Sequence, residues 1–293
     1  MVSADAPATD TPFAERFEAA WEVATDALPL AVVPLMSSLT SPDDVERALS
    51  STGWHGGIAF GLPASPPDLW SFVSLPSRGP GLHVSPTLSL LPVVVAVQAA
   101  LVAGLLGSVH QLLSTGTYDF VRNVKRYFVR VLGYQLLVFG VALAGVAIGA
   151  VAGPLLVLAI PGYFVLAYLF YAAPYLLVVE DLGVGAALAR SYEWATAAGP
   201  YLSYAVGYAV FTAIVSVFVT VVAVNFGPVG ILVGAVATAP LALALTVATT
   251  EFVADMAAAE REESGPGDAE RRRESGWTDD RDDPNDGPDG SPR

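Results

Sequence analysis

The chain has 293 residues, of which 54% are hydrophobic and 14% charged, with a mean hydropathy of +0.55. Soluble domains carry about 25% charged residues, so this composition excludes an ordinary soluble core and points to membrane spans with polar ends. The formal net charge of −14, from 28 acidic against 14 basic residues, excludes the basic footprint of a nucleic-acid-binding protein.

Cysteine is absent, which excludes disulfides, iron–sulfur clusters and thiolate metal sites. His55, His83 and His110 are scattered, without the close spacing of a helical metal motif. Neither a phosphate-cradling Gly-rich loop nor a nucleophile elbow occurs, so no cofactor, metal or catalytic set is expected. Lys125 is the single lysine. Scarce lysine, acidic excess and Asp-rich segments together resemble a salt-adapted archaeal proteome, in which surface charge keeps polar faces hydrated. The first twenty residues lack a basic stretch followed by an apolar one, so no cleaved signal peptide is expected.

A spanning helix needs about 20 mainly apolar residues. The first such stretch covers about 20–40 and is interrupted by Glu22, Asp26, Pro29 and Pro34. Glu22 and Asp26 share a face four residues apart, which reads either as charge reaching the headgroups or as a proton or cation site. Segment 41–86 follows and is expected to be an extracellular insertion, on the side opposite the basic loop that comes after the second stretch. Ser41 stands where it would cap a short helix with Pro42 in its first position. Glycines, prolines and the aromatics Trp54, Phe60, Trp70 and Phe72 come next, as in a loop resting at the membrane interface or a lid.

The second stretch covers about 87–113. Gln98 is its one deep polar side chain and reads as an interhelical hydrogen bond. The next loop carries Arg122, Lys125, Arg126 and Arg130 against Asp119 alone, which marks it as cytoplasmic. The third stretch, about 131–152, has Gly145 and Gly149, and Gly153 continues the spacing of four. Such a face lets another backbone approach closely, and Gly230 and Gly234 of the sixth stretch repeat the spacing. These two glycine faces are expected to pack against each other or against a second copy.

The fourth stretch, about 154–179, carries Tyr168, Tyr171 and Tyr175. The fifth, about 200–224, carries Tyr201, Tyr204 and Tyr208. Spacings of three and four put each set on one helix face in the cytoplasmic half. Two readings stand open: an interfacial aromatic belt with interhelical hydrogen bonds, or the lining of a polar cavity open to the cytoplasm. The sixth stretch covers about 228–250. The segment 257–293, with 12 acidic and 6 basic residues, has too little apolar surface to fold and reads as a disordered acidic cytoplasmic tail, with Ala257 to Glu263 placed to extend the last helix.

The expected fold class is therefore all-α: a polytopic membrane helix bundle of about six transmembrane helices over residues 1–256, with both ends in the cytoplasm. It would reside in the cell membrane as a multi-pass protein, with the lipid bilayer and a second copy or another membrane protein as its partners.

Between the fourth and fifth stretches, Pro174, Glu180, Ala187, Leu188, Arg190, Ser191, Tyr192 and Gly199 mark an apolar run into Glu, then an amphipathic helix, then a Gly before the next span. This 180–199 connector resembles the one in the multi-helix membrane domain found beside some glycerophosphodiester phosphodiesterases, and in stand-alone archaeal membrane proteins of unknown function. Glu193 and Ala197 depart from that pattern, standing where basic residues are common. The resemblance implies a helix along the inner membrane face and carries no phosphodiesterase activity, since it covers only the membrane part. Arg190 has Glu180 and Glu193 as equal candidates for an ion pair. The activity expected is that of a non-enzymatic membrane-organising or accessory protein; the alternative is a solute or lipid carrier that uses the tyrosine-lined cavity.

Overall fold

A computed structural model describes residues 9, 11–51, 53–76, 91–151 and 156–263. Among these residues the chain is all-α. Five helices are long and apolar enough to cross a membrane, and a sixth crossing arises if one bent pair counts as a span. The two ends of the bundle are named below by what lies there: the basic end, with Arg122 to Arg130, and the insertion end, with segment 41–76.

α1 (Phe13–Asp26) starts at the basic end. The first span is broken, not continuous over 20–40 as the hydropathy suggested. Leu28–Ala31 form a 3-10 turn that holds Pro29, and α2 (Val32–Leu39) leaves at 98° to α1. Proline lacks the N–H that would continue the helix. α3 (Pro42–Leu49) follows with Pro42 in its first turn, but the Ser41 side chain makes no cap bond; its backbone carbonyl accepts from Asp44 and Val45 instead.

α4 (Leu91–Thr115) and α5 (Phe120–Val151) form a tightly packed antiparallel pair. The closeness comes from Gly104 and Gly107: a Cβ on Gly104 would collide with the Phe120 ring, and one on Gly107 would lie 2.7 Å from Asn123 and 2.9 Å from Tyr127. From Leu136 to Gly145, α5 is exposed at every position. α6 (Leu156–Phe170) and α7 (Ala173–Val179) make one span with a break at Tyr171 and Ala172, where Pro174 enters. α8 (Val184–Ala197) is the amphipathic connector, and α9 (Pro200–Asn225) runs back to the insertion end.

α10 (Gly227–Glu263) is the central helix, with two-thirds (67%) of its most apolar stretch buried. It continues through Ala257–Glu263, the extension that the sequence suggested for the start of the tail; residues 264–293 lie outside those described. α1 lies along it, and Ala20, Ala24 and Ala27 share a core cluster with Ala244, Val247 and Ala248. Above this alanine contact Arg16, only 3% exposed, donates to Asp255 at 2.8 Å, lies 3.9 Å from Glu251 and sits over the Phe252 ring.

Arg16 is buried but Asp255 keeps 27% of its side chain exposed, so the contact counts as a charge-assisted hydrogen bond worth about 1.5–3 kcal/mol, not as a fully buried ion pair. Arg16→Ala is therefore expected to lower the thermal unfolding midpoint of the detergent-solubilised protein by that equivalent. An unchanged midpoint would mean that the alanine stripe alone holds α1 to α10.

Candidate functional site on the hydroxyl face of α9

One face of α9 reads Tyr201, Tyr204, Tyr208, Thr212, Ser216 and Thr220, at a spacing of three and then four. All six side chains are buried. A spacing near 3.6 keeps them in one slowly drifting stripe. The stripe does two different things along its length.

In the half nearer the basic end, Tyr168 of α6, Tyr171 of the break and the tyrosines of α9 come together ring against ring. Tyr171 stacks on Tyr201 with centroids 4.0 Å apart, Tyr168 meets Tyr201 edge-on at 5.5 Å, and Tyr204 stacks on Phe252 at 4.3 Å. Phe13 of α1 closes over Tyr204 and Tyr208 and occupies the space a Cβ on Gly207 would need. Tyr171, Tyr175, Tyr201, Tyr204 and Tyr208 are each at most 4% exposed, and Tyr168 is partly buried.

The hydroxyls serve the break between α6 and α7. Tyr171 donates to the Tyr201 carbonyl at 2.8 Å, the Ala172 N–H donates to the Tyr201 hydroxyl at 3.4 Å, and Ser191 of α8 donates to the Leu169 carbonyl at 2.9 Å. Tyr168 latches the far end of α8 through the Ala195 carbonyl at 3.1 Å, and Tyr204 pairs with Thr249 at 2.8 Å. A proline inside a span frees backbone groups, which neighbouring side chains must satisfy in lipid. Ser191 and Tyr201, 3.0 Å apart, fill that role here.

In the other half, the small hydroxyls hold an extended chain. Residues 53–61 do not rest at the end of the bundle; they run lengthwise against α9, with their other side exposed. His55 N–H donates to the Asn225 side chain at 2.7 Å, and Asn225 returns a bond to the His55 carbonyl at 2.8 Å. Ala59 N–H donates to Ser216 at 2.9 Å and Gly61 N–H to Thr212 at 3.2 Å. From Asn225 to Thr212 the descent is about 20 Å at the helical rise of 1.5 Å per residue. The return limb is fixed by Ser74 N–H to Thr220 at 2.8 Å, and the two limbs touch where His55 Nε2 meets the Ser74 carbonyl at 2.8 Å. Exposure alternates along the entering limb: Trp54, Ile58 and Phe60 face outward, His55, Ala59 and Gly61 bond α9 through their backbone, and Gly57 faces Ser74 of the return limb. Gly57 is required there, since a Cβ would collide with the Ser74 side chain.

Asp68 shapes the tip of this re-entrant hairpin. Its carboxylate accepts from Trp70 N–H at 3.1 Å and Ser71 N–H at 3.3 Å, capping the 3-10 turn Leu69–Phe72, and takes a bond from Ser37 of α2 at 3.3 Å. Ser37 also bonds Gln98 at 3.1 Å, and Gln98 reaches Thr40. Gln98 thus ties α4 to the end of α2. Between the hairpin tip and α6 lies a cavity of about 250 Å³; Tyr208 is the one tyrosine of the six that lines it.

The remaining expected residues fall elsewhere. Gly145 has open space around it, Gly149 lies one turn further along α5, and Gly153 lies outside the described residues. Gly230 and Gly234 pack closely against α9 and the hairpin, toward Val222, Phe226, Leu69 and Ala223, not against α5. At the basic end, Glu180 binds Arg190 at 3.1 Å and Arg261 at 3.2 Å, and Arg190 reaches Glu260 of α10 at 2.8 Å; Glu193 is exposed. Glu260 also accepts from Trp194 at 3.0 Å. Beside this network Asp181 pairs with Arg130 and, at 3.6 Å, with Arg126; the Arg130 hydrogen bond holds its carboxyl below the usual carboxylate range. Glu22 and Asp26 lie on the exposed face of α1. Among the described residues no group of three or more His, Asp or Glu side chains could hold a metal ion.

Fold and site together define an all-α, multi-pass membrane protein with a re-entrant hairpin. Compared with family models, curated proteins and solved structures, the chain matches none.

Each hydroxyl-to-backbone bond is worth about 1 kcal/mol. The triple change Thr212→Val, Ser216→Ala and Thr220→Val is expected to favour hairpin withdrawal by about 3 kcal/mol, raising the withdrawn population roughly a hundredfold. With Ala59→Cys as reporter in this cysteine-free chain, labelling by an impermeant thiol reagent should accelerate to match. Equal rates with and without the triple change would mean that the hydroxyls do not hold the hairpin.

Proposed function

We propose that the protein resides in the cell membrane with both termini in the cytoplasm, and that it is a non-enzymatic accessory protein that organises or supports other membrane components. One observation carries this reading: Tyr171, Tyr201 and Tyr204, at the centre of the strongest candidate for a solute pathway from the cytoplasm, are packed against rings and have their hydroxyls bonded within the bundle. A bundle locked in this way serves better as a platform than as a rocking carrier. The outward faces of α5 and α6 leave room for a second copy or a different membrane protein. The orientation rests on Arg122, Lys125, Arg126 and Arg130 between α4 and the apolar part of α5. The composition supports a salt-adapted host, and the connector's resemblance to the phosphodiesterase-associated membrane domain supports a shared membrane architecture without supplying a role.

A carrier is the second reading, favoured by the cavity beside Tyr208. Thiol accessibility separates the two. Tyr171→Cys and Tyr204→Cys are expected to stay unlabelled by an impermeant reagent added from the cytoplasmic side, while Asp119→Cys labels rapidly. Rapid labelling of both tyrosine positions would reveal a water-filled inner cavity and transfer the reading to a carrier. An unreactive Asp119→Cys that labels only from outside would reverse the orientation.

A further inference from the structure

The cavity at the hairpin tip has a definite chemical character. Its walls are Phe60, Leu62 and Trp70 of the hairpin, Tyr163 and Phe164 of α6, and Tyr208 of α9, with Ala59, Gly61, Ala64, Ser65, Ser71 and Ala167 between them. Five of these side chains are aromatic, and none of the lining side chains is charged. A charged ligand at this depth would lack a counter-charge, and charge within the bilayer is costly. Asp68 stands behind Ser71, but its carboxylate is already engaged by the Ser37 and Ser71 hydroxyls and two backbone N–H groups.

Tyr208 supplies the polar contact. It is 2% exposed, and among the described residues its hydroxyl has no hydrogen-bond partner. The neighbouring tyrosine hydroxyls of α9 differ: Tyr201 pairs with Ser191 and Tyr204 with Thr249. A buried hydroxyl needs a partner, and here the space it borders can hold one.

The position of the cavity sets the route of entry. Tyr208 lies about 12 Å along α9 from Pro200 and about 25 Å from Asn225, well inside the apolar thickness. Tyr163, 67% exposed, and Phe60, 63% exposed, flank the cavity on the outer surface of the bundle. The mouth therefore opens sideways into the bilayer. A volume of about 250 Å³ is below the usual range for drug-sized ligands, about 300–1,000 Å³. It suits the head of a molecule whose remainder stays in lipid.

We propose that this cavity binds a neutral, lipid-soluble molecule with a flat, carbonyl-bearing head of the quinone type, which lies among the rings of Phe60, Tyr163 and Phe164 and accepts a hydrogen bond from Tyr208. Flat rings favour offset or edge-on contact with such a head, and the Tyr208 hydroxyl matches a carbonyl acceptor. The binding site is independent of the accessory role proposed above, since it needs only the hairpin, α6 and α9 in place.

The test is a titration of the purified full chain in lipid nanodiscs with decylubiquinone, read by tryptophan fluorescence, since Trp70 lines the cavity. Saturable quenching is expected. Tyr208→Phe should keep the thermal midpoint measured without the probe and weaken binding about tenfold, the loss of about one hydrogen bond. Tyr163→Ala, on the outer surface, should weaken binding several-fold without altering the fold. Quenching that rises linearly with no saturation, or equal affinity in Tyr208→Phe, would overturn the proposal. Displacement of the probe by hexadecane at matched concentration would also overturn it, assigning the cavity to a plain hydrocarbon chain.

Discussion

Backbone N–H and carbonyl groups cannot be left bare inside a bilayer, where no water replaces a missing partner. Two parts of this protein raise that demand: the break between α6 and α7, and the extended chain that enters beside α9. Both are answered from the same helix face. Tyr201 serves the break, taking the Ala172 N–H and giving its own carbonyl to Tyr171. Thr212, Ser216 and Thr220 serve the extended chain. The hydroxyls on the outer half have a second property. Thr212 and Ser216 also donate to carbonyls of their own helix, at 3.0 and 2.8 Å, so each stays satisfied as a donor while accepting from the hairpin. That arrangement makes α9 a receptor for a strand-like segment without a sheet.

The rest of the bundle follows from this. α10 takes the centre because its small residues let α1, α4, α7 and α9 approach together. α1 seals the tyrosine half through Phe13 and Phe17, with Arg16 fixing its height against Asp255. The ion network around Glu180 ties α8, the amphipathic connector, to the last turns of α10. What stays uncovered is the stretch 136–145 of α5 with 161–166 of α6, apolar surfaces whose natural cover is lipid or protein.

Much of the architecture was legible in the sequence for a plain reason: twenty apolar residues in a row have few other uses. The spans over 87–113, 200–224 and 228–250 correspond to α4, α9 and α10. The tyrosine stripes were legible as stripes, because a spacing of three and four survives any packing. Whether they faced water or one another was not, since period alone does not say what lies opposite. The hairpin was hidden for a related reason. Thr212, Ser216 and Thr220 continue the tyrosine spacing, but small hydroxyls back-bond to their own helix in many spans and draw no notice. His55, Gly57, Ala59 and Gly61 alternate with Trp54, Ile58 and Phe60, a period of two inside a segment rich in glycine and proline. Joining that period to the hydroxyl face was the missing step. The glycines mislead in the same way: Gly145 has the favoured spacing and open space around it, whereas Gly104 and Gly107, three apart, take the rings of α5.

The central claim is that the extended limb lies against the hydroxyl face of α9. Gly61 and Thr212 provide the direct measurement, because a Cβ placed on Gly61 lies 3.7 Å from the Thr212 Cβ. That separation falls within the range a disulfide requires, about 3.5–4.5 Å. The native chain has no cysteine, so the pair Gly61→Cys and Thr212→Cys stands alone in the background. Mild oxidation in native membranes should close an intramolecular bridge, seen as a linkage between the two halves of a chain cleaved in the α4–α5 loop. An unbridged pair, with the cysteine at 61 freely labelled by an impermeant reagent from the insertion side, would contradict the account and return segment 53–76 to the membrane surface.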